Sequence, residues 1–245
     1  MAFNIIEQKL NLNTMKLRTL LIACTLLLSF TSISFSQTKS NSKNSISLIT
    51  GFNRGLGING SFSIHNIAEG LPGNLRFGLG YTWLDPGNAS DVRRIFINNN
   101  TGGVPEKDGH NSDLRIDYMM PYKFFNFKDS YLIFGPRYSV FKGNFNYIGS
   151  NEDFEITSKQ WGLGLGAENY FKMTKNLDLV LATGLDYFFN SALSGHDTTF
   201  NPNDDNIRVQ QTDNNGDPYT YKDANKAVKQ PQLMPRIMIG VTYRL

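Results

Sequence analysis

The feature that most narrows the possible folds is an alternation that runs to the last residue. In Gln232–Leu245, one side of an extended strand carries Leu233, Pro235, Ile237, Ile239, Val241, Tyr243 and Leu245. The other side carries Met234, Arg236, Met238, Gly240, Thr242 and Arg244, because successive strand side chains point to opposite faces. A soluble β domain buries its apolar face in a core, whereas a membrane-spanning barrel turns that face to lipid and the mixed face to the lumen.

The same split recurs along the chain. Ile46, Leu48, Thr50 and Phe52 share a face in SISLITGF, and Leu56, Ile58, Gly60, Phe62 and Ile64 share one in the next run. Between them Asn53-Arg54-Gly55 predicts a hairpin with Gly55 left-handed and Phe52 opposite Leu56. Unbroken parity also allows one long strand, and an even strand count favours the hairpin. After the turn Asn66–Gly73, Leu75, Phe77, Leu79, Tyr81 and Trp83 alternate with Arg76, Gly78, Gly80 and Thr82. Ser112–Met120 places Leu114, Ile116, Tyr118 and Met120 outward and Asp113, Arg115 and Asp117 inward.

Tyr131–Lys142 departs from the pattern, with Tyr131, Ile133 and Phe141 apolar on the inner face and Pro136 in mid-strand. A bulge near Gly135-Pro136 is the expected explanation. Gly143–Asp153 reads as a loop. Phe154–Phe171 then puts Trp161, Leu163, Leu165, Ala167 and Phe171 outward and Gly162, Gly164, Gly166, Glu168 and Tyr170 inward. Its GLGLGAEN lacks the Lys-Ser and strand-to-helix setting of a nucleotide loop. Past a tight turn, Leu177–Ser191 has Leu177, Leu179, Leu181, Leu185, Tyr187 and Phe189 outward and Asp178, Asp186 and Asn190 inward. About eight strands result, joined alternately by short and long connections. The two long polar connections, Asp85–Asn111 and Ala192–Pro231, fall on one side, as external loops do.

The N-terminus reads differently. From Met15, two positive charges, an apolar run Leu20–Phe30 and small residues Ser34 and Ser36 make a secretory signal too short for a comfortable transmembrane helix. Residues 1–36 are therefore expected to be a signal peptide cleaved after Ser36, with translation starting at Met15 as an open alternative. Residues 37–44 form a polar leader, and 45–245 the barrel. Cys24, the single cysteine, lies inside the apolar run rather than at a lipidation site, so its removal leaves no disulfide. Loss of Lys9, Lys16, Arg18 and Glu7 lowers the formal net charge of +3 by two, and a nearly neutral chain gives no case for nucleic-acid binding.

With these residues in view, the chain resembles the small outer-membrane β-barrels of the OmpX and OmpA membrane-domain type, known broadly as porin-family outer-membrane barrels. The resemblance covers roughly Ser45–Leu245 and rests on the repeated split face and on the ending. It implies an all-β, eight-stranded antiparallel up-and-down transmembrane barrel in the cell outer membrane. The last strand would engage the barrel insertion machinery, with Tyr243, Val241, Ile239 and Ile237 matching the family's alternation and Leu245 standing where a terminal aromatic is usual.

The inward charges are Arg76, Arg115, Arg137, Arg236 and Arg244 against Asp113, Asp117, Glu168, Asp178 and Asp186. Equal numbers of guanidinium and carboxylate groups suit a hydrogen-bonded network filling a narrow barrel, and eight strands enclose just enough room for side chains. A packed, salt-bridged interior is the favoured reading. A narrow porin-like channel for small solutes, helped by Gly57, Gly78, Gly162, Gly164 and Gly240, is the alternative. The aromatics Tyr81, Trp83, Tyr118, Trp161, Tyr187, Phe189 and Tyr243 lie on the outward face, mostly near strand ends, as interfacial girdles do. A soluble lipocalin-like barrel would instead bury its apolar face.

A lipid-modifying enzyme is the less favoured reading. His65 lies toward the periplasmic end, and His110 and His196 are in loops without a matching serine arrangement, so no catalytic residue is expected. Asp204-Asp205 and Asp213-Asn214-Asn215-Gly216-Asp217 lack EF-hand spacing, so no metal or cofactor is expected. The expected partners are outer-membrane lipid and an unidentified extracellular partner, the role being structural or one of surface interaction.

Overall fold

Alternation over eight segments can satisfy every backbone group only if the sheet closes on itself, and it does. A computed structural model describes residues 44–68, 70–97, 104–124, 127, 129–148, 152–195, 198–203, 212–213 and 215–245; the expected signal peptide, Cys24 and nearly all of the polar leader lie outside them. The strands and helices are β1 (Asn44–Asn53), β2 (Leu56–His65), β3 (Asn74–Trp83), α1 (Ala89–Phe96), β4 (Val104–Pro121), β5 (Asp129–Ile148), β6 (Glu152–Lys172), β7 (Leu177–Phe188), β8 (Leu193–Ser194), β9 (Thr199–Phe200), α2 (Tyr221–Val228) and β10 (Leu233–Arg244). Consecutive strands from β1 to β7 pair antiparallel, β7 pairs with β10, and β10 returns to β1 from Ser45↔Arg244 to Asn53↔Arg236. The result is a closed eight-stranded up-and-down barrel, with β8 and β9 as short additions beside β6.

Asn53–Gly55 does turn β1 into β2, and Phe52 pairs with Leu56. The left-handed residue, however, is Arg54, with φ of 59°, rather than Gly55. Gly55 is needed for closeness: a Cβ there would sit 1.9 Å from the Trp83 carbonyl oxygen.

The expected bulge near Gly135-Pro136 is absent. One register runs from Val104↔Ile148 to Pro121↔Tyr131 between β4 and β5, and another runs unbroken between β5 and β6. Only the rungs opposite Gly135 and Pro136 on β4 are missing, as a residue without an N–H requires. Ile133 and Phe141 point inward because part of the interior is apolar, and both are fully buried.

Three expected loops contain regular structure. Gly143–Asp153 is mostly strand, since β5 continues to Ile148 and β6 begins at Glu152. Asp85–Asn111 contains α1 and the first eight residues of β4, and Ala192–Pro231 contains β8, β9 and α2. The extra strand length is held because its inward residues keep alternating into a second core. Phe141, Phe145, Tyr147, Phe154 and Ile156 pack with Val92, Ile95 and Phe96 of α1 and Ala224, Ala227 and Val228 of α2. β4, β5 and β6, with 18, 20 and 21 residues, therefore rise as a fin well beyond the 10 residues of β1, β2 and β3.

Outside the barrel, Leu79, Trp161 and Ile237 are 68 %, 64 % and 61 % exposed. That continuous apolar exterior excludes the soluble lipocalin-like arrangement, whose outer face would be polar.

Candidate functional site

All ten inward charges expected from the strand parity face the lumen in ion pairs. Arg76 on β3 reaches Asp117 and Glu168, each at 2.7 Å. Arg137 on β5 lies 2.7 Å from the other oxygen of Asp117 and 3.0 Å from Asp186. The Arg137–Asp117 approach is off the hydrogen-bond axis, so it acts as a charge contact rather than a directed bond. Asp186 on β7 also takes Arg115 at 3.1 Å and Arg236 at 2.8 Å, and Arg115 in turn holds Asp113. Eight side chains from six strands thus form one connected, charge-balanced group around Arg137 and Asp186, both 0 % exposed. Arg244 and Asp178 form a separate pair at 2.6 Å toward the short-turn end.

Arg115 and Arg137 stand directly opposite each other in the β4–β5 register, an arrangement that like charges disfavour. The Asp186 carboxylate between them resolves it, accepting from Arg137 and pairing with Arg115 at 3.1 Å. β1 and β2 supply hydroxyls and amides instead, as in the Ser47–Thr242 bond of 2.6 Å and the Asn53–Thr82 bond of 2.8 Å.

Several glycines on this wall stand where another group approaches closely. A Cβ at Gly164 would fall 2.2 Å from the Arg137 guanidinium and 2.3 Å from Asp186. At Gly80 it would meet Asp113, at Gly184 Arg236, at Gly162 the Phe188 ring and at Gly240 the Leu48 carbonyl.

Above the charges, the second core and its two helices cover the lumen. α1 starts at Asn88, whose side chain accepts from the Ser90 and Asp91 N–H groups. α2 starts with a reciprocal capping box between Thr220 and Asp223. The helices are tied by the Asn88 N–H to the Ala227 carbonyl at 2.8 Å, and α1 is tied to the barrel by the Tyr147 hydroxyl donating to the Ala89 carbonyl at 2.6 Å. Arg54 in the β1–β2 turn donates to the Lys229 and Gln230 carbonyls past the end of α2.

Two carboxylates in this cap titrate low. Burial alone would raise Asp85, but hydrogen bonds from Lys107 and the Gly87 N–H, with the Lys107 and Lys229 ammonium groups nearby, outweigh it. The Thr220 N–H and hydroxyl hold Asp223 below the usual carboxylate range, assisted by Lys222 and Lys226.

The aromatics gather near the strand ends. Tyr81–Trp83, Tyr138–Trp161 and Tyr187–Phe189 pair at 4.8, 5.0 and 5.6 Å toward the long-loop end. Tyr118, tilted against Phe134 at 5.5 Å and donating to the Pro72 carbonyl, and Tyr243 lie toward the short-turn end.

His110 is on β4, stacked on Tyr81 at 5.2 Å, whereas His196 and Asp204-Asp205 lie outside the described residues. The Asp213 carboxylate accepts from the Asn215 and Asp217 N–H groups, a local turn. His65 has a partner that sequence spacing did not suggest: the Ser45 hydroxyl, 2.9 Å from its Nε2. The two are 20 residues apart and meet only because the β1–β2 hairpin brings their ends together.

No family model matches the sequence, and no curated protein matches it. Among solved structures, the chain is similar to a major outer membrane protein from Thermus thermophilus, with 26 % identity and a TM-score of 0.65. That alignment covers 84 % of this chain and 100 % of the other. CarO from Acinetobacter baumannii aligns at 16 % identity and a TM-score of 0.37 over 83 % of this chain and 98 % of its own. With the closed sheet and apolar exterior, the Thermus likeness identifies an outer-membrane β-barrel protein, located in the cell outer membrane.

Proposed function

We propose that this barrel is a non-conducting envelope protein with a structural or surface-interaction role, exerted through its fin and external loops rather than through its lumen. The observation that carries the reading is the filled interior: the charge-balanced group spans six strands, other groups approach several glycines closely, and a 17-residue apolar core lies across one end. An ion crossing this lumen would have to displace buried, mutually paired charges, whose unpaired states cost several kcal/mol each.

The fin's outer face is polar, with Glu106, Asp108, Lys142, Asn144, Asn146 and Glu155 directed away from the cap, which suits contact with an extracellular partner. Its Lys142–Glu155 pair at 3.0 Å is exposed and contributes little to stability. The reading also takes residues 1–36 as a removed secretory signal, β10 as the segment engaged by the insertion machinery, and the two aromatic bands as contacts to the lipid interfaces.

Conductance of refolded protein in planar bilayers tests it. The expected result is no steady current. Steady channels that disappear on changing Arg115 or Asp117 would replace this reading with the porin-like one.

A further inference from the structure

The short-turn mouth of the lumen holds groups that the structural role leaves unused. A cavity of about 200 Å³ opens there, with Ser45, His65, Tyr131, Asp178 and Arg244 among its walls. Ser45 is the second residue of β1, His65 the last of β2 and Asn74 the first of β3. The hairpin brings the end of β2 beside the start of β1, and the β2–β3 register sets His65 opposite Asn74. Ser45 Oγ lies 2.9 Å from His65 Nε2, and Asn74 stands on the rung facing His65. Two residues along β1, Ser47 is spent on Thr242; Ser45 is turned instead to an imidazole.

We propose that Ser45, His65 and Asn74 form a serine nucleophile centre that hydrolyses small carboxylic esters. A hydroxyl, a base within hydrogen-bond reach and a third group that fixes the base are the arrangement an activated nucleophile needs. For Nε2 to act as base, the other ring nitrogen must carry the proton, and the Asn74 carboxamide on the facing rung is the group assigned to accept it.

In the first step His65 Nε2 takes the Ser45 proton as Oγ bonds to the ester carbonyl carbon. The imidazolium then returns that proton to the departing alkoxide as the ester C–O bond breaks. Water, deprotonated by the same nitrogen, releases the acid and restores the serine hydroxyl. Arg244 faces Ser45 across the β1–β10 rung and engages Asp178 through Nε and one terminal nitrogen. Its second terminal nitrogen is the donor for the oxygen that becomes negative. The cavity volume limits the acyl group to a few carbons.

The test uses the refolded chain with a fluorophosphonate probe, which loses fluoride as a serine oxygen bonds to phosphorus, followed by peptide mass mapping. Hydrolysis of p-nitrophenyl acetate and p-nitrophenyl palmitate is measured alongside. Expected are an adduct on Ser45, turnover of the acetate but not the palmitate, and loss of both labelling and turnover by about a hundredfold in S45A and H65A. Heat-modifiable gel mobility verifies that each variant is folded. An unlabelled Ser45 in folded wild-type protein, or hydrolysis that survives S45A, overturns the proposal.

Discussion

Asp186 is the residue on which the lumen turns, because three guanidinium groups share its carboxylate. Asp186→Ala leaves Arg115, Arg137 and Arg236 crowded without that anion. It is expected to lower stability by about 3–5 kcal/mol, the cost of breaking a buried pair, read as a lower urea midpoint by Trp83 and Trp161 fluorescence in vesicles. Which side chains are inward was legible, since strand parity alone assigns all ten. Their pairing was not: Arg76 meets Glu168 from 92 residues away, and only the curvature of a closed sheet brings β3 to face β6 across a lumen. The glycines were ambiguous for a related reason. A glycine in a strand marks room, and the sequence does not say whether that room is empty or holds an arginine from elsewhere.

The eight long alternating elements were readable, and the two helices of the cap were not, though their signals were present. Asn88 stands before Val92, Ile95 and Phe96 at helical spacing, and Thr220-x-x-Asp223 is a capping box preceding Ala224, Ala227 and Val228. Eight-residue helices inside long polar stretches carry too few apolar residues to stand out, and they hold their shape through the core they help build. The cap should be acid-sensitive. Asp85 and Asp223 titrate lower folded than unfolded, so their contribution is full above the unfolded value of about 4 and is lost as pH falls through the folded values. Amide exchange in α1 and α2, corrected for intrinsic rates, is expected to be less protected at pH 3 than at pH 7, while β7 and β10 change little.

For the molecule as a whole, closure depends on the seam between the first and last strands. There Gly240 admits the Leu48 carbonyl where a Cβ would come within 2.0 Å, and Gly51, with φ of 152°, lies against the Ile237 carbonyl. Gly240→Val is expected to prevent the seam from forming, seen as loss of the fast-migrating folded band on unheated gels; a normal folded band would show that the seam tolerates the extra bulk. The seam also bears on how a growing barrel avoids a misregistered ending. Because side chains alternate strictly, a one-residue slip of β10 would turn Arg236 from Asp186 to the lipid face, at a cost that grows with its depth in the membrane. It would leave Asp186 one cation short as well. The buried arginine of the closing strand therefore serves as an error check on assembly, penalising a wrong alignment from the lumen side and the lipid side at once.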